Sequence, residues 1–196
     1  MQARSSASVQ AIREAAVQVL LKEGNERLTT RRIADRAGVS VGTLYQYFPN
    51  KSALLQAVLR DHLDGVAEAL RASCEEWRGA TLDQMATGLV EGFMQAKLRH
   101  VEISRALYFI SDDVGGAAIA RQNAVRNVSA VASLLESAPQ KLLEGSEVVA
   151  SIVLATMAGV SRRMLEARLG DGELEAMQQG LKTMVRAYLQ AVTSPA

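Results

Sequence analysis

The chain has 196 residues, 48% of them hydrophobic and 22% charged, and a net charge of +1. These are ordinary values for a globular chain with a real core. The single cysteine, Cys74, excludes an internal disulfide framework and a cysteine-based zinc site, and it points to a reducing cytoplasm.

Aromatic residues make up only 4%, and prolines number three, Pro49, Pro139 and Pro195. Strands prefer β-branched and aromatic residues, so this supply favours helices, and long ones can run without a break. No run of about 18 apolar residues stands out, so no membrane span is expected. The apolar stretch Ala15 to Leu21 lies inside an amphipathic pattern and lacks the break and cleavage site of a signal peptide. Charge is uneven along the chain. Residues 1–60 hold nine Lys/Arg against four acids, a net +5, and the remainder nets −4. A basic head on a mildly acidic body suits a domain that faces phosphate, although scattered charges also simply solvate helices.

The polar stretch Met1 to Ser8 reads as a mobile arm, with Ser8 as the cap of a first helix over Val9 to Glu23. Apolar positions 9, 12, 16, 19 and 20 carry its helical period, and Gly24 ends it. A second helix begins at Thr29 or Thr30 and stops at Gly38, and a third starts after Ser40 and ends before Pro49. A fourth, capped near Asn50, runs to about Trp77. Thr81 caps a fifth through Leu82, Met85, Leu89, Phe93 and Met94, and a short sixth covers Val101 to Ile110. After the break at residues 111–116 a seventh spans Ala117 to about Ser137. Beyond Ala138-Pro139 the last two cover Val148 to Leu169 and Glu173 to Val192, separated by Gly170-Asp171-Gly172. The expected fold is all-α with nine helices, divided into a DNA-binding domain over residues 1–50 and a body over 51–196.

The second and third helices, joined by a tight glycine-containing turn, form a helix-turn-helix. Ala34 is small where the helices cross, Gly38 accepts a left-handed backbone, and Ser40 caps the second helix of the pair. Ile33, Ala37, Val39 and Leu44 supply the shared miniature core. Val41, Gly42, Thr43 and Gln46 then fall on the outer face, where Gln46 can pair two-fold with adenine and the methyls of Val41 and Thr43 can meet a thymine methyl. Thr30, Tyr45, Tyr47 and Lys51 offer hydroxyls or charge to phosphates, and Arg31 can reach a phosphate or a guanine edge. Tyr45 and Tyr47 are equally readable as core aromatics.

The run from Thr29 to Lys51 closely resembles the DNA-binding signature of the TetR family of bacterial repressors, roughly T-x-R-x-I-A-x-x-A-G-V-S-x-G-T-L-Y-x-Y-F-x-x-K. Arg32 stands where many members carry an acid or a hydrophobe. The resemblance implies an all-α homodimer with a three-helix head, linked by the fourth helix to a six-helix ligand-binding body. It also implies that Thr30, Arg31, Val41, Gly42, Thr43, Tyr45, Gln46, Tyr47 and Lys51 contact a double-stranded operator. In the body it carries architecture and not the identity of a ligand.

On the last two helices, Val148, Ile152, Ala155 and Gly159 make a stripe of small and apolar residues. Leu174, Met177, Leu181, Met184, Val185, Tyr188 and Val192 make an apolar face. Similarity to the family suggests that they pair with their symmetry mates, the alternative being packing within one subunit. Trp77, Met85, Phe93, Met94, Tyr108, Phe109 and Met157 are candidates to line an effector pocket, with His100, Arg105 and Asp112 as polar anchors. Each is also readable as plain core. His62 and His100 are too few and too far apart for a metal site, and neither a metal nor a cofactor is expected. Cys74 is readable as an oxidant sensor or as inert packing. No nucleophile–base set and no phosphate-cradling loop stands out, so an enzyme is not expected. The expected function is a cytoplasmic repressor released from its operator by a small molecule. The alternative is a DNA-bound interaction protein without an effector.

Overall fold

The computed structural model describes residues 2–167 and 169–194, with side chains from Ser5 onward except that of Asp171. Among the described residues the chain is nine α-helices: α1 Gln2–Glu23, α2 Thr30–Ala37, α3 Val41–Tyr47, α4 Lys51–Glu76, α5 Leu82–Leu98, α6 Val101–Ile110, α7 Gly116–Glu136, α8 Ser146–Glu166 and α9 Asp171–Ala191. A single 3-10 turn, Asp112–Val114, joins α6 to α7.

Two expectations at element ends are corrected. Residues 2–8 belong to α1, so Ser8 lies within the helix and does not cap it. No glycine or proline interrupts this stretch, and Gln, Ala and Arg are good helix formers. The eighth helix stops at Glu166, short of Leu169, and Arg168 lies outside the described residues.

The chain forms two compact units. Among the described residues, the first holds those up to Leu63 together with Glu102–Ala120, and the second holds Asp64–Val101 and those from Arg121 onward. In the first, α1 buries Ile12, Ala15, Ala16, Val19 and Leu20 against Ile33 and Ala34 of α2 and Leu44 of α3. The start of α4 closes this core with Leu54, Leu55, Val58 and Leu59, and Leu107, Ile110 and Ile119 join it. Each of the buried Leu, Ile and Val side chains contributes about 1.5–3 kcal/mol of transfer free energy.

The second unit is built around α5, whose Leu82, Met85, Ala86, Gly88, Leu89, Val90, Phe93 and Met94 are all buried. That spread covers most of the helix circumference, which only a central helix shows. A capping box between Thr81 and Gln84 starts it. Two glycines allow α4 to lie close: a Cβ on Gly88 would fall 2.1 Å from Trp77 Nε1, and one on Gly92 would fall 1.9 Å from Ser73 Oγ. On the other side α9 packs along α5 with Leu181, Val185 and Leu189. Arg186 donates to both oxygens of Asp83 at 2.6 Å, and its guanidinium holds that carboxyl below the usual carboxylate range. Cys74, 1% exposed, belongs to this core, and burial pushes its thiol up to about 11. It is therefore protonated at neutral pH, as inert packing requires.

Helix α8 is the most apolar of the long helices by mean hydropathy, and how its faces are covered accounts for that. By length and composition alone it is long and apolar enough to cross a membrane, with a mean hydropathy of 1.5. Serines and a threonine interrupt its apolar residues, which is why no continuous run stood out. The apolarity divides between two faces. Val149, Ala150, Val153 and Met157 enter the core, while Val148 and Ile152 are 54% and 43% exposed beside exposed Ala155 and Gly159. On α9, Leu181 and Val185 are buried and Leu174, Met177, Tyr188 and Val192 half-buried, whereas Met184 is 56% exposed.

Gly88→Ala pushes a methyl into a rigid indole and should cost roughly 1–3 kcal/mol through overpacking. Urea unfolding followed by the emission of Trp77, the chain's one tryptophan, reads the loss. An unchanged midpoint would show that the ring moves aside freely.

Candidate nucleic-acid interface

Local backbone chemistry sets the helix-turn-helix. Thr29 caps α2 by accepting from the Arg32 N–H at 3.3 Å. At the far end Gly38 takes φ +69°, a left-handed conformation that costs a residue with a Cβ about 1 kcal/mol or more. The chain then reverses within two residues, and Ser40 caps α3 by accepting from the Thr43 N–H at 2.9 Å. Ser40 Oγ also lies 2.8 Å from Thr43 Oγ1. That contact engages the Thr43 hydroxyl and leaves its methyl as the group to meet a partner. Ala34 and Leu44, both 0% exposed, lock the helices together.

The nine residues expected to touch DNA all belong to α2, α3 or the first turn of α4, but their exposure differs. Arg31, Gly42, Tyr45 and Gln46 are exposed, while Thr30, Val41, Thr43, Tyr47 and Lys51 are half-buried. Val41 and Tyr47 pack against the first core. The two tyrosines therefore part: Tyr47 leans on the core, and Tyr45 is 48% exposed with its hydroxyl 3.2 Å from Thr30 Oγ1. This contact joins the two helices at the surface.

The cations are also sorted. Of the three arginines on α2, Arg32 pairs with Glu23 and Arg36 donates to Gln18 at 2.6 Å. Arg31 and Lys51 make no ion pair or side-chain hydrogen bond among the described residues. Sequence could not separate these arginines, because Glu23 and Gln18 lie nine and eighteen positions before the residues they engage. Asn50 accepts from the Ala53 N–H at 2.8 Å and so starts α4 immediately before Lys51.

Gly42 is the least expected residue on a helix. A Cβ there would meet nothing closer than Ser40 Oγ at 3.7 Å, an ordinary contact. Alanine would fit and would favour the helix by roughly 1 kcal/mol. Nothing inside the chain requires a glycine at this exposed point.

The residues expected to line an effector pocket do not all share a unit. Trp77, Met85, Phe93, Met94, His100 and Met157 belong to the second, and Arg105, Tyr108, Phe109 and Asp112 to the first. Met85, Phe93, Met94 and Met157 are between 0% and 8% exposed and form part of the second core, with half-buried Trp77 against it. The Lys97 ammonium stands 6.0 Å over the Phe93 ring, and burial lowers its pKa. His100 and Asp112 are exposed, Arg105 pairs with Glu102 at 3.0 Å, and Phe109 is 61% exposed with Tyr108 edge-on at 5.7 Å. No group of three or more His, Cys, Asp or Glu with metal-binding geometry occurs among the described residues.

Residues 12–58 match the family of bacterial regulatory proteins called tetR, and residues 81–189 match the tetracyclin repressor-like C-terminal domain. The uncharacterized HTH-type transcriptional regulator YvkB of Bacillus subtilis is 33% identical over 90 residues, taking in 46% of this chain and 39% of that protein. The chain thus matches well under two thirds of that relative's length. Among solved structures, SmeT, the repressor of the Stenotrophomonas maltophilia multidrug efflux pump SmeDEF, aligns with a TM-score of 0.70 at 19% identity, covering 96% of this chain and 91% of that one. A transcriptional regulator from Rhodococcus sp. RHA1 aligns with a TM-score of 0.69 at 21% identity, covering 96% and 98%. At these identities the likeness is one of fold.

Removing the α3 cap in Ser40→Ala should cost about 1 kcal/mol. Chemical unfolding followed by circular dichroism measures it, and a loss near zero would mean that the Thr43 contacts contribute nothing to stability.

Proposed function

The chain belongs to the TetR family of bacterial regulatory proteins, whose members are DNA-binding regulators of transcription, and from that membership we propose that it is a homodimeric cytoplasmic repressor which a small molecule releases from its operator. The observation that carries the DNA half of this reading is the outer face of the helix-turn-helix. There a Cβ on Gly42 would make only an ordinary contact with Ser40 Oγ at 3.7 Å, and Arg31, Gln46 and Lys51 stand without side-chain partners among the described residues. A glycine that the fold does not need is explained when another backbone must come close. In this reading α3 lies in a major groove with Gly42 against the DNA, Gln46 and the methyls of Val41 and Thr43 on base edges, and Thr30, Tyr45, Tyr47 and Lys51 on phosphates. Arg31 takes a phosphate or a guanine.

The dimer rests on the outward faces of the last two helices. Val148, Ile152, Ala155 and Gly159 on α8, and Met184 with Gly180 on α9, are apolar or small and all exposed. A Cβ on Gly159 or Gly180 would meet nothing in this subunit. Two such helices and their symmetry mates form a four-helix contact that buries these faces. Two heads about 34–36 Å apart then read half-sites one DNA turn apart. An effector that favours another separation weakens DNA binding, and DNA weakens the effector by the same factor. We place the effector in the second unit, among Trp77, Phe93, Met94 and Met157. A second reading, a DNA-bound protein without an effector, draws on the near-complete burial of Phe93, Met94 and Met157. The family and fold are those of transcription regulators, and we read the chain as non-enzymatic.

Selection of bound fragments from random duplex DNA with the full chain tests this reading and should return an inverted repeat. Failure to enrich any sequence would overturn it. Gly42→Ala should leave the fold as stable or raise stability by up to roughly 1 kcal/mol while lowering operator affinity. Unchanged affinity removes the close approach. Lys51→Ala should weaken binding to every sequence alike and reduce the salt slope by about 1. Ile152→Asp should turn the dimer into monomers in sedimentation equilibrium, and a persisting dimer would place the interface elsewhere.

A further inference from the structure

Helices α5 and α9 run antiparallel in the second unit, as two surface ion pairs show: Asp83 with Arg186, and Glu91 with Lys182 at 2.7 Å. Beyond the second pair, toward the C-terminal end of α5, the helices leave a cleft of about 430 Å³. That lies within the roughly 300–1,000 Å³ of small-molecule sites. Val90, Met94 and Leu98 line it from one stripe of α5, spaced four residues apart; Val90 and Met94 are almost wholly covered, and Leu98 is half-buried. Gln95 and Gln178 flank it, and neither carboxamide makes a hydrogen bond among the described residues.

The ion pair at the mouth is unequal. Lys182 has a side chain 19% exposed, while that of Glu91 is 54% exposed. An ammonium has three donors, and Glu91 Oε1 uses one of them. Glu91, the exposed half, is the one that can move into water, and a second carboxylate must then take its place, because an enclosed ammonium left unpaired is costly. Lys182, largely enclosed, stays. The cleft also lies on the flank of α9 opposite Gly180 and Met184: residues 178 and 182 are offset from 180 and 184 by two positions, over half a turn. It therefore remains open when the proposed dimer forms.

We propose that this cleft binds a small carboxylate with an apolar body. The carboxylate takes the place of Glu91 on Lys182, the body lies against half-buried Leu98 and the edge of Met94, and Gln95 and Gln178 supply flanking hydrogen bonds. Apart from Met94 the site shares no residue with those put forward for the effector. Binding is measured without DNA, so its failure would leave the DNA-binding reading untouched.

The probe is octanoate, with octanol as its uncharged counterpart. Methyl-labelled methionines report binding by NMR, with the Met94 signal assigned from Met94→Leu. Octanoate should shift that signal saturably, and octanol should bind about tenfold more weakly, the difference one charge-assisted hydrogen bond makes. Lys182→Gln should weaken octanoate binding by a similar factor, whereas Glu91→Gln, which removes the competing carboxylate, should tighten it. A merely structural effect of breaking the ion pair would move both variants the same way. No shift up to about 10 mM, equal binding of octanol, or weakening in Glu91→Gln would overturn the proposal.

Discussion

Helix α3 presents an outer face only because the turn before it is tight, and the turn is tight because Gly38 holds φ +69° where other residues are strained. The reversal brings Leu44 down onto Ala34, both fully buried, so the two short helices share one miniature core. Helices of eight and seven residues are too short to persist alone in water. They persist because Thr29 and Ser40 satisfy their first N–H groups and because α1 and the start of α4 close the core around them. The exposure of Gln46 on α3 and the position of Lys51 at the start of α4 follow from that geometry.

On this scaffold the polar side chains separate into those that hold the head together and those left over. Glu23 and Gln18 of α1 engage Arg32 and Arg36, so these arginines brace the helices, and Arg31 remains for a partner. Thr43 turns its hydroxyl to the Ser40 cap, and Tyr45 meets Thr30, so these hydroxyls join neighbouring parts of the helix-turn-helix. Tyr47 leans its ring against the core.

The second unit follows a different rule. Its centre, α5, is buried around most of its circumference, and Gly88 and Gly92 bring Trp77 and Ser73 within reach of its backbone. Along the seam with α9, Asp83–Arg186 and Glu91–Lys182 clamp the antiparallel pair. The helices that clothe this centre then show two apolar faces. For α8 the inner face explains why Val149, Val153 and Met157 are apolar, while Val148 and Ile152 on the outer face stay exposed.

Sequence alone determined nine helices among the described residues, the helix-turn-helix, and the caps of α3, α4 and α5 at Ser40, Asn50 and Thr81. These features depend on interactions within a few residues, where spacing in the chain is spacing in space. The same locality misread residues 2–8 as an arm, since no breaker and no apolar period marks them either way. Tertiary structure decided which arginine stays free and that Met85, Phe93, Met94 and Met157 are packed core. It also brought Gln178 and Lys182 to the cleft beside Val90 and Met94. Those outcomes depend on helices that meet across tens of residues, and a helical period reports that a face is apolar without reporting which neighbour covers it.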